Sequence, residues 1–174
     1  MGPVEIVFVT VWIVFGIIGV ARGLWRELGA TTMLLIALLV LQLLTNPKAP
    51  GYNYWKLLLS LFVTDPAAYQ PVTSIIATVF LLLMAFISYE GETLTFPGKG
   101  SNWFFSLGAG LLNGYLFAGS IWFYLDKAGW PGGLIGPPFT PFYTNVVKLL
   151  PLAVLPWWLL LILVVFMMIM RVLK

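Results

Sequence analysis

The stretch GVARGLWRELG, residues 19–29, places two arginines and a glutamate between two long apolar runs. Arg22, Arg26 and Glu27 could together bind an anionic substrate or carry a proton. Charged side chains also suit a tight helical hairpin that reverses at a membrane surface. Arg22 and Arg26 lie four residues apart, on one helical face from which both can reach lipid phosphates. We therefore expect Arg22, Arg26 and the neighbouring Trp25 to anchor the hairpin in the headgroup layer.

Few other residues have types and spacing suited to chemistry. The chain contains no cysteine and no histidine, so thiol nucleophiles, imidazole bases and histidine-ligated haem are excluded. Glu90 and Glu92 are closely spaced carboxylates, but at a spacing of two they do not share a helical face. Glu5 is expected to reach the interface from the start of the first apolar run. We predict no catalytic residue, no metal site, no enzyme activity and no cofactor; a bound lipid or quinone is compatible with the aromatic residues.

The amino-acid composition predicts the kind of secondary structure that carries these residues. Hydrophobic residues make up 61% of the 174-residue chain, charged residues only 9%, and the mean hydropathy is +1.01, which excludes a soluble domain. The net charge of +3 is spread singly among apolar runs, which argues against a nucleic-acid partner and for contact with membrane lipids. We predict one integral membrane domain over residues 1–174, an all-α transmembrane bundle of four to five spans with short interfacial segments. The predicted spans are Pro3 to Ala21, Leu28 to Leu44, Val72 to Tyr89, Trp103 to Leu125 and Leu152 to Met170.

Two connecting segments are apolar, but one is too short and the other too irregular to span the membrane. Residues 56–63 are expected to form an interfacial helix or a re-entrant piece. Residues 126–151 contain prolines and glycines as well as aromatics, and are expected to lie along the membrane surface or against a partner. Basic residues near the span ends favour an N-terminus outside and, with five spans, a cytoplasmic C-terminus.

Small residues form a ridge along the fourth predicted span, where Ser106, Gly110, Gly114 and Ala118 recur every four residues. The first span offers a second such face through Gly16, Gly19 and Gly23. Small side chains allow close approach of helix backbones in lipid, and the adjacent Asn113 can donate a hydrogen bond to a neighbouring helix. Two interpretations remain open at this point. The two faces pack against each other within one subunit, or one of them receives a helix of another membrane protein.

The opening hairpin and this ridge resemble the colicin V production protein (CvpA) family. The resemblance rests on Gly19-Val20-Ala21-Arg22-Gly23 followed by Arg26-Glu27, and on the glycine-rich spacing of Ser106, Gly110 and Gly114, over roughly residues 4–125. It implies a small multi-pass protein of the bacterial cytoplasmic (inner) membrane, linked to toxin export or envelope integrity, with no established catalytic residues.

The function we expect is that of a non-catalytic accessory, assembly or scaffold subunit, which binds other integral membrane proteins through helix–helix contacts. Its setting would be an electron-transport or photosynthetic complex, or toxin export and envelope maintenance. The alternative is a small-solute transporter or channel. That function needs a path lined by polar groups, and the predicted spans contain few of them.

Overall fold

The computed structural model describes residues 2–90, 94–98, 100, 102–130 and 135–173. These residues form eight helices and no strand, so the predicted all-α bundle is confirmed. The helices are α1 (Pro3–Arg22), α2 (Leu24–Thr45), α3 (Tyr52–Ser60), α4 (Tyr69–Glu90), α5 (Trp103–Lys127), α6 (Pro141–Lys148), α7 (Pro151–Val154) and α8 (Trp157–Val172). A short 3₁₀ turn, Pro66–Ala68, leads into α4.

Four of these helices, α1, α2, α4 and α5, are long and apolar enough to cross a membrane. The chain is therefore a membrane protein. At 16 residues α8 is shorter than the usual span, although it is apolar almost throughout. Helix α2 lies at the centre, since 61% of its most apolar stretch is buried against 22% for α1. Its leucines pack with side chains of α4, α5 and α8 in the main core.

Two predicted span boundaries are wrong, each because of one residue. Helix α2 begins at Leu24 rather than Leu28, since Gly23 adopts φ +86° and lets the chain reverse at once after α1. Glu27 consequently lies inside the first turn of a long apolar helix, whereas the predicted span began one residue after it. The last apolar helix begins at Trp157 rather than Leu152, because Pro156 keeps Leu155 extended and separates α7 from α8.

The two connecting segments are helical in part. Residues 56–63 belong mostly to α3, which starts earlier, at Tyr52, and leaves most of its side chains exposed. Within residues 126–151, α6 is capped by the Thr140 hydroxyl, which accepts a hydrogen bond from the Tyr143 N–H at 3.1 Å. Residues 131–134 of this segment lie outside the described residues, as does Glu92.

Helices α1 and α5 make the closest pairing in the bundle. A Cβ added to Gly110 would lie 2.4 Å from the Phe15 carbonyl oxygen, and one added to Gly19 would lie 2.5 Å from the Ser106 carbonyl oxygen. Glycine at these positions lets the two backbones touch. The indole of Trp12 also donates a hydrogen bond to the Leu111 carbonyl at 2.7 Å.

Candidate functional site

The turn at Gly23 brings two oppositely charged residues together at one end of the bundle. Arg22 is the last residue of α1 and Glu27 lies in the first turn of α2. The Gly23 N–H still donates to the Gly19 carbonyl at 2.9 Å, and the Gly23 carbonyl accepts from the Glu27 N–H at 3.2 Å. Because both helices keep their hydrogen bonds up to the glycine, the hairpin is tight and its charged side chains have little freedom.

Arg22 and Glu27 form an ion pair beneath the protein surface. A guanidinium nitrogen lies 3.1 Å from Glu27 Oε1; the Glu27 side chain is fully buried and that of Arg22 is 18% exposed. Arg22 also donates to the Ser88 carbonyl at 3.3 Å, and its guanidinium carbon lies 4.3 Å from the centre of the Tyr89 ring. The anchoring of Arg22 in the lipid headgroups stays a prediction, and within the protein Arg22 is held by an ion pair. Its partner is a buried carboxylate in the adjoining helix.

The second carboxylate oxygen of Glu27 is bound by residues distant in sequence. Oε2 accepts from the Tyr89 hydroxyl at 2.9 Å and from the Asn113 side-chain amide at 2.8 Å. The Asn113 carbonyl oxygen accepts in turn from the Thr31 hydroxyl at 2.7 Å. Asn113 and Thr31 are themselves buried. We call these five residues, Arg22, Glu27, Thr31, Tyr89 and Asn113, the hairpin network; it joins α1, α2, α4 and α5.

The hairpin network satisfies its own charge and hydrogen-bonding groups. Both oxygens of Glu27 accept hydrogen bonds from the protein, and the positive charge of Arg22 balances the carboxylate. A buried charge is costly in an apolar medium unless it is paired in this way, and removing one partner costs more than removing both. A solute could bind Glu27 only by displacing Arg22, Tyr89 or Asn113. The arrangement is therefore suited to holding four spans in register.

A polar cleft of about 420 Å³ adjoins the network on its outer side. Residues 94–98 and Gly100 lie over the hairpin here: the Trp25 indole donates to the Gly100 carbonyl at 2.7 Å, and the Phe96 N–H donates to the Trp25 carbonyl at 3.3 Å. Arg26 is exposed on the same side and lines the cleft together with Arg22. Trp25 thus fixes a loop, while Arg26 faces outward from the hairpin.

The predicted packing residues fall into separate environments. Gly16, Gly19, Gly110 and Gly114 meet at the contact of α1 with α5, where the Ser106 backbone also lies. Gly23 is the turn residue between α1 and α2, so its predicted place on the packing face is wrong. Ala118 lines an apolar cavity further along α5. Asn113 donates within the hairpin network of its own chain.

A second polar cluster lies at the opposite end of α1. Glu5 is 1% exposed and accepts hydrogen bonds from the Gly2 N–H at 2.6 Å and from the Thr140 hydroxyl, so the expectation that it reaches the interface is wrong. Tyr143 donates to Asp126 and accepts from the Trp130 indole at 2.8 Å. Burial raises the pKa of Tyr143, and its hydrogen bond to Asp126 acts in the same direction. These contacts hold the start of α6 against α1 and against the end of α5.

Neither polar cluster resembles a metal centre. Within the described ranges, no group of three or more histidine, cysteine, aspartate or glutamate side chains is placed to hold a metal ion. Tyr89 and Thr31 belong to the hairpin network but were not foreseen from the sequence. The opposite charges on either side of Gly23 were the one local signal for it.

Comparison with known proteins adds no relative. No family model, curated protein sequence or solved structure matches this chain. The resemblance to the CvpA family therefore depends on the hairpin and ridge motifs themselves.

Proposed function

We propose that this protein is a non-catalytic scaffold or accessory subunit, which acts by binding other membrane proteins within the bilayer. The observation that carries the proposal is the closed hairpin network. The side chains of the hairpin network hydrogen-bond to one another and so join α1, α2, α4 and α5. A rigid bundle of this kind presents its outer helices in a fixed arrangement, which is what an assembly subunit requires.

Helix α8 is the surface we assign to the partner. It packs chiefly on α2, and Leu160 is its one buried residue within the described chain. On its outer face, Ile162 and Phe166 remain more than half exposed. The small-residue ridge of α5 is already occupied by α1, so a partner helix would bind elsewhere. A short apolar helix held at the edge of the bundle is suited to contact with a second protein.

The motif resemblance supports the bacterial cytoplasmic membrane and the export or envelope setting, and the basic residues near the span ends support the orientation. We place the protein in the bacterial cytoplasmic membrane with its N-terminus outside, in toxin export or envelope maintenance. A structural role in an electron-transport or photosynthetic complex is the second setting. The proteins retained with the chain distinguish the two, since cytochrome or pigment-binding subunits belong only to the latter.

The proposal is tested by purifying the tagged chain from its native membranes in a mild detergent. We expect one or more membrane proteins to be retained in fixed stoichiometry, and Phe166→Ala in α8 to lower their yield. Phe86→Ala in α4 is the matched control, because Phe86 is 62% exposed and Phe166 is 55% exposed. A chain that purifies alone, with both variants behaving alike, would contradict the scaffold function.

A second candidate function, transport of a small solute, is favoured by the polar cleft beside Arg22 and Arg26. Two guanidinium groups at the entrance would suit an anion. Transport also requires the hairpin network to open, since Arg22, which lines the cleft, is paired with the buried Glu27. Saturable, Arg26-dependent anion flux into liposomes that contain the purified chain alone would favour this function over the scaffold.

A further inference from the structure

A small polar pocket of about 100 Å³ lies at the end of the bundle opposite the hairpin network. It is enclosed by the C-terminal ends of α2 and α5, by the short helix α3 and by the first turns of α4. Its volume is well below the roughly 300–1,000 Å³ of a pocket for a drug-sized molecule. The pocket is therefore suited to a small group, such as a single phosphate.

Two lysines, Lys56 of α3 and Lys127 at the end of α5, line the pocket, and no described lining residue is acidic. The Lys56 Nζ lies 6.0 Å from the centre of the Tyr52 ring. The Lys127 Nζ lies 4.3 Å from the centre of the Phe123 ring. Neither ammonium forms an ion pair or a hydrogen bond with a described residue. Two positive charges beside one pocket without a counter-charge favour a ligand that is negatively charged.

The neutral side chains of the pocket add hydrogen-bond donors. Tyr52 and Tyr69 line it, and their hydroxyls make no hydrogen bond with a described residue. Thr73 also lines it and is 7% exposed; its hydroxyl accepts from the Trp55 indole at 3.1 Å and donates to no described residue. The oxygens of a phosphate accept hydrogen bonds from ammonium and hydroxyl groups alike, so the donors of this pocket match that ligand.

The pocket lies at the depth where lipid headgroups are expected. It adjoins the ends of two membrane-spanning helices, α2 and α5, and the short helix α3 turns apolar side chains outward beside it. Leu57, Leu61 and Phe62, on α3 and just after it, are 66%, 74% and 80% exposed, whereas Leu59 is buried. A short helix with this pattern suits the boundary between headgroups and acyl chains. A lipid beside α3 could therefore place its phosphate in the pocket while its acyl chains remain in the bilayer.

We propose that this pocket binds the phosphate of an anionic phospholipid. The ammonium groups of Lys56 and Lys127 pair with the phosphate oxygens, and the tyrosine hydroxyls donate to them. A phospholipid with a net negative charge suits two lysines better than a zwitterionic one, whose own cation offsets the phosphate. The inference concerns lipid binding by this chain alone, so it depends neither on the scaffold function nor on the orientation in the membrane.

The test titrates the full chain, purified in a neutral detergent, with dioleoylphosphatidylglycerol and measures the adducts by native mass spectrometry. We expect one lipid to bind saturably, and more tightly than dioleoylphosphatidylcholine, which has the same acyl chains. Lys56→Gln and Lys127→Gln should each weaken this binding roughly fivefold, as expected for one basic residue beside anionic lipid. Lys48→Gln is the matched control, because Lys48 is exposed at the same end of the bundle but does not line the pocket; its affinity should equal that of the unaltered chain.

All three variants should fold, because the three lysines are exposed and glutamine replaces them without entering the core. The inference is overturned if the two phospholipids bind equally, or if Lys56→Gln and Lys127→Gln bind the lipid as well as Lys48→Gln does. A competition with excess inorganic phosphate, at an ionic strength matched with sodium chloride, separates a lipid site from a site for a soluble anion. We expect phosphatidylglycerol to be retained, and its displacement by phosphate but not by chloride would overturn the assignment to a lipid.

Discussion

Glu27 contributes to the bundle through its charge as well as its hydrogen bonds. Three side-chain donors, from Arg22, Tyr89 and Asn113, converge on one buried carboxylate, and they come from three different helices. A buried ion pair stabilises the folded state little more than apolar side chains of similar size would. A structure that separates the two partners is nevertheless strongly destabilised, because it leaves a buried charge unpaired. At this scale the network specifies which helices are neighbours.

The ion pair predicts non-additive effects of mutation. Glu27→Gln leaves the partly buried charge of Arg22 unpaired and should lower the free energy of unfolding by roughly 3 kcal/mol. The double variant Arg22→Gln, Glu27→Gln removes both charges and should be less destabilised than the sum of its single variants, by at least about 1 kcal/mol. Unfolding in detergent with increasing denaturant measures all three.

Glu90→Gln is the control for this cycle, because Glu90 is an exposed carboxylate at the end of α4. We expect it to change stability by less than about 0.5 kcal/mol. If the losses in free energy of unfolding caused by Arg22→Gln and Glu27→Gln were strictly additive, the two side chains would act independently. That result would contradict the hairpin network.

At the scale of helices, the pairing of α1 with α5 depends on backbone contact. Gly110 faces α1, whereas Gly108, two residues earlier, would direct a Cβ into open space. Gly110→Ala forces a methyl group against the Phe15 carbonyl, so the helices must separate, at a cost of about 1–3 kcal/mol. Gly108→Ala should be neutral or stabilising by up to about 1 kcal/mol, because alanine favours helix.

Thermal unfolding of the two alanine variants in the same detergent compares them directly. If Gly110→Ala unfolded at the same temperature as Gly108→Ala, the backbone contact between α1 and α5 would be contradicted. The same number of atoms is added in both variants, so the difference reports the contact and excludes a general effect of replacing glycine.

The helices were predictable from the sequence to different degrees. Apolar runs gave the four long spans, and the four-residue repeat of small side chains identified the face of α5 that packs on α1. Tyr89 and Asn113 lie 62 and 86 residues from Glu27, so no local pattern brings them together. Glu27 itself was placed outside the span because hydropathy favours a charged residue at the surface. Its burial depends on partners that only the fold supplies.

At the scale of the whole molecule, the two ends of the bundle carry loops that should face opposite sides of the membrane. Thr95 lies beside the hairpin, and Thr64 lies between α3 and α4; both are exposed. We predict that a membrane-impermeant maleimide labels Thr64→Cys in intact cells but labels Thr95→Cys only after permeabilisation. The sequence contains no cysteine, so each variant reports one position. The reverse pattern would invert the proposed orientation.

The central claim is that the protein acts through contacts with another membrane protein. Site-specific crosslinking in native membranes tests this claim most directly. A benzophenone maleimide attached to Phe166→Cys samples the exposed face of α8, and the same probe on Phe86→Cys samples α4 as a control. We predict that irradiation joins the Phe166→Cys chain to one protein species in high yield and the Phe86→Cys chain to none. If neither position gave a protein adduct while both probes reacted with lipid, the account of this chain as a scaffold would be contradicted.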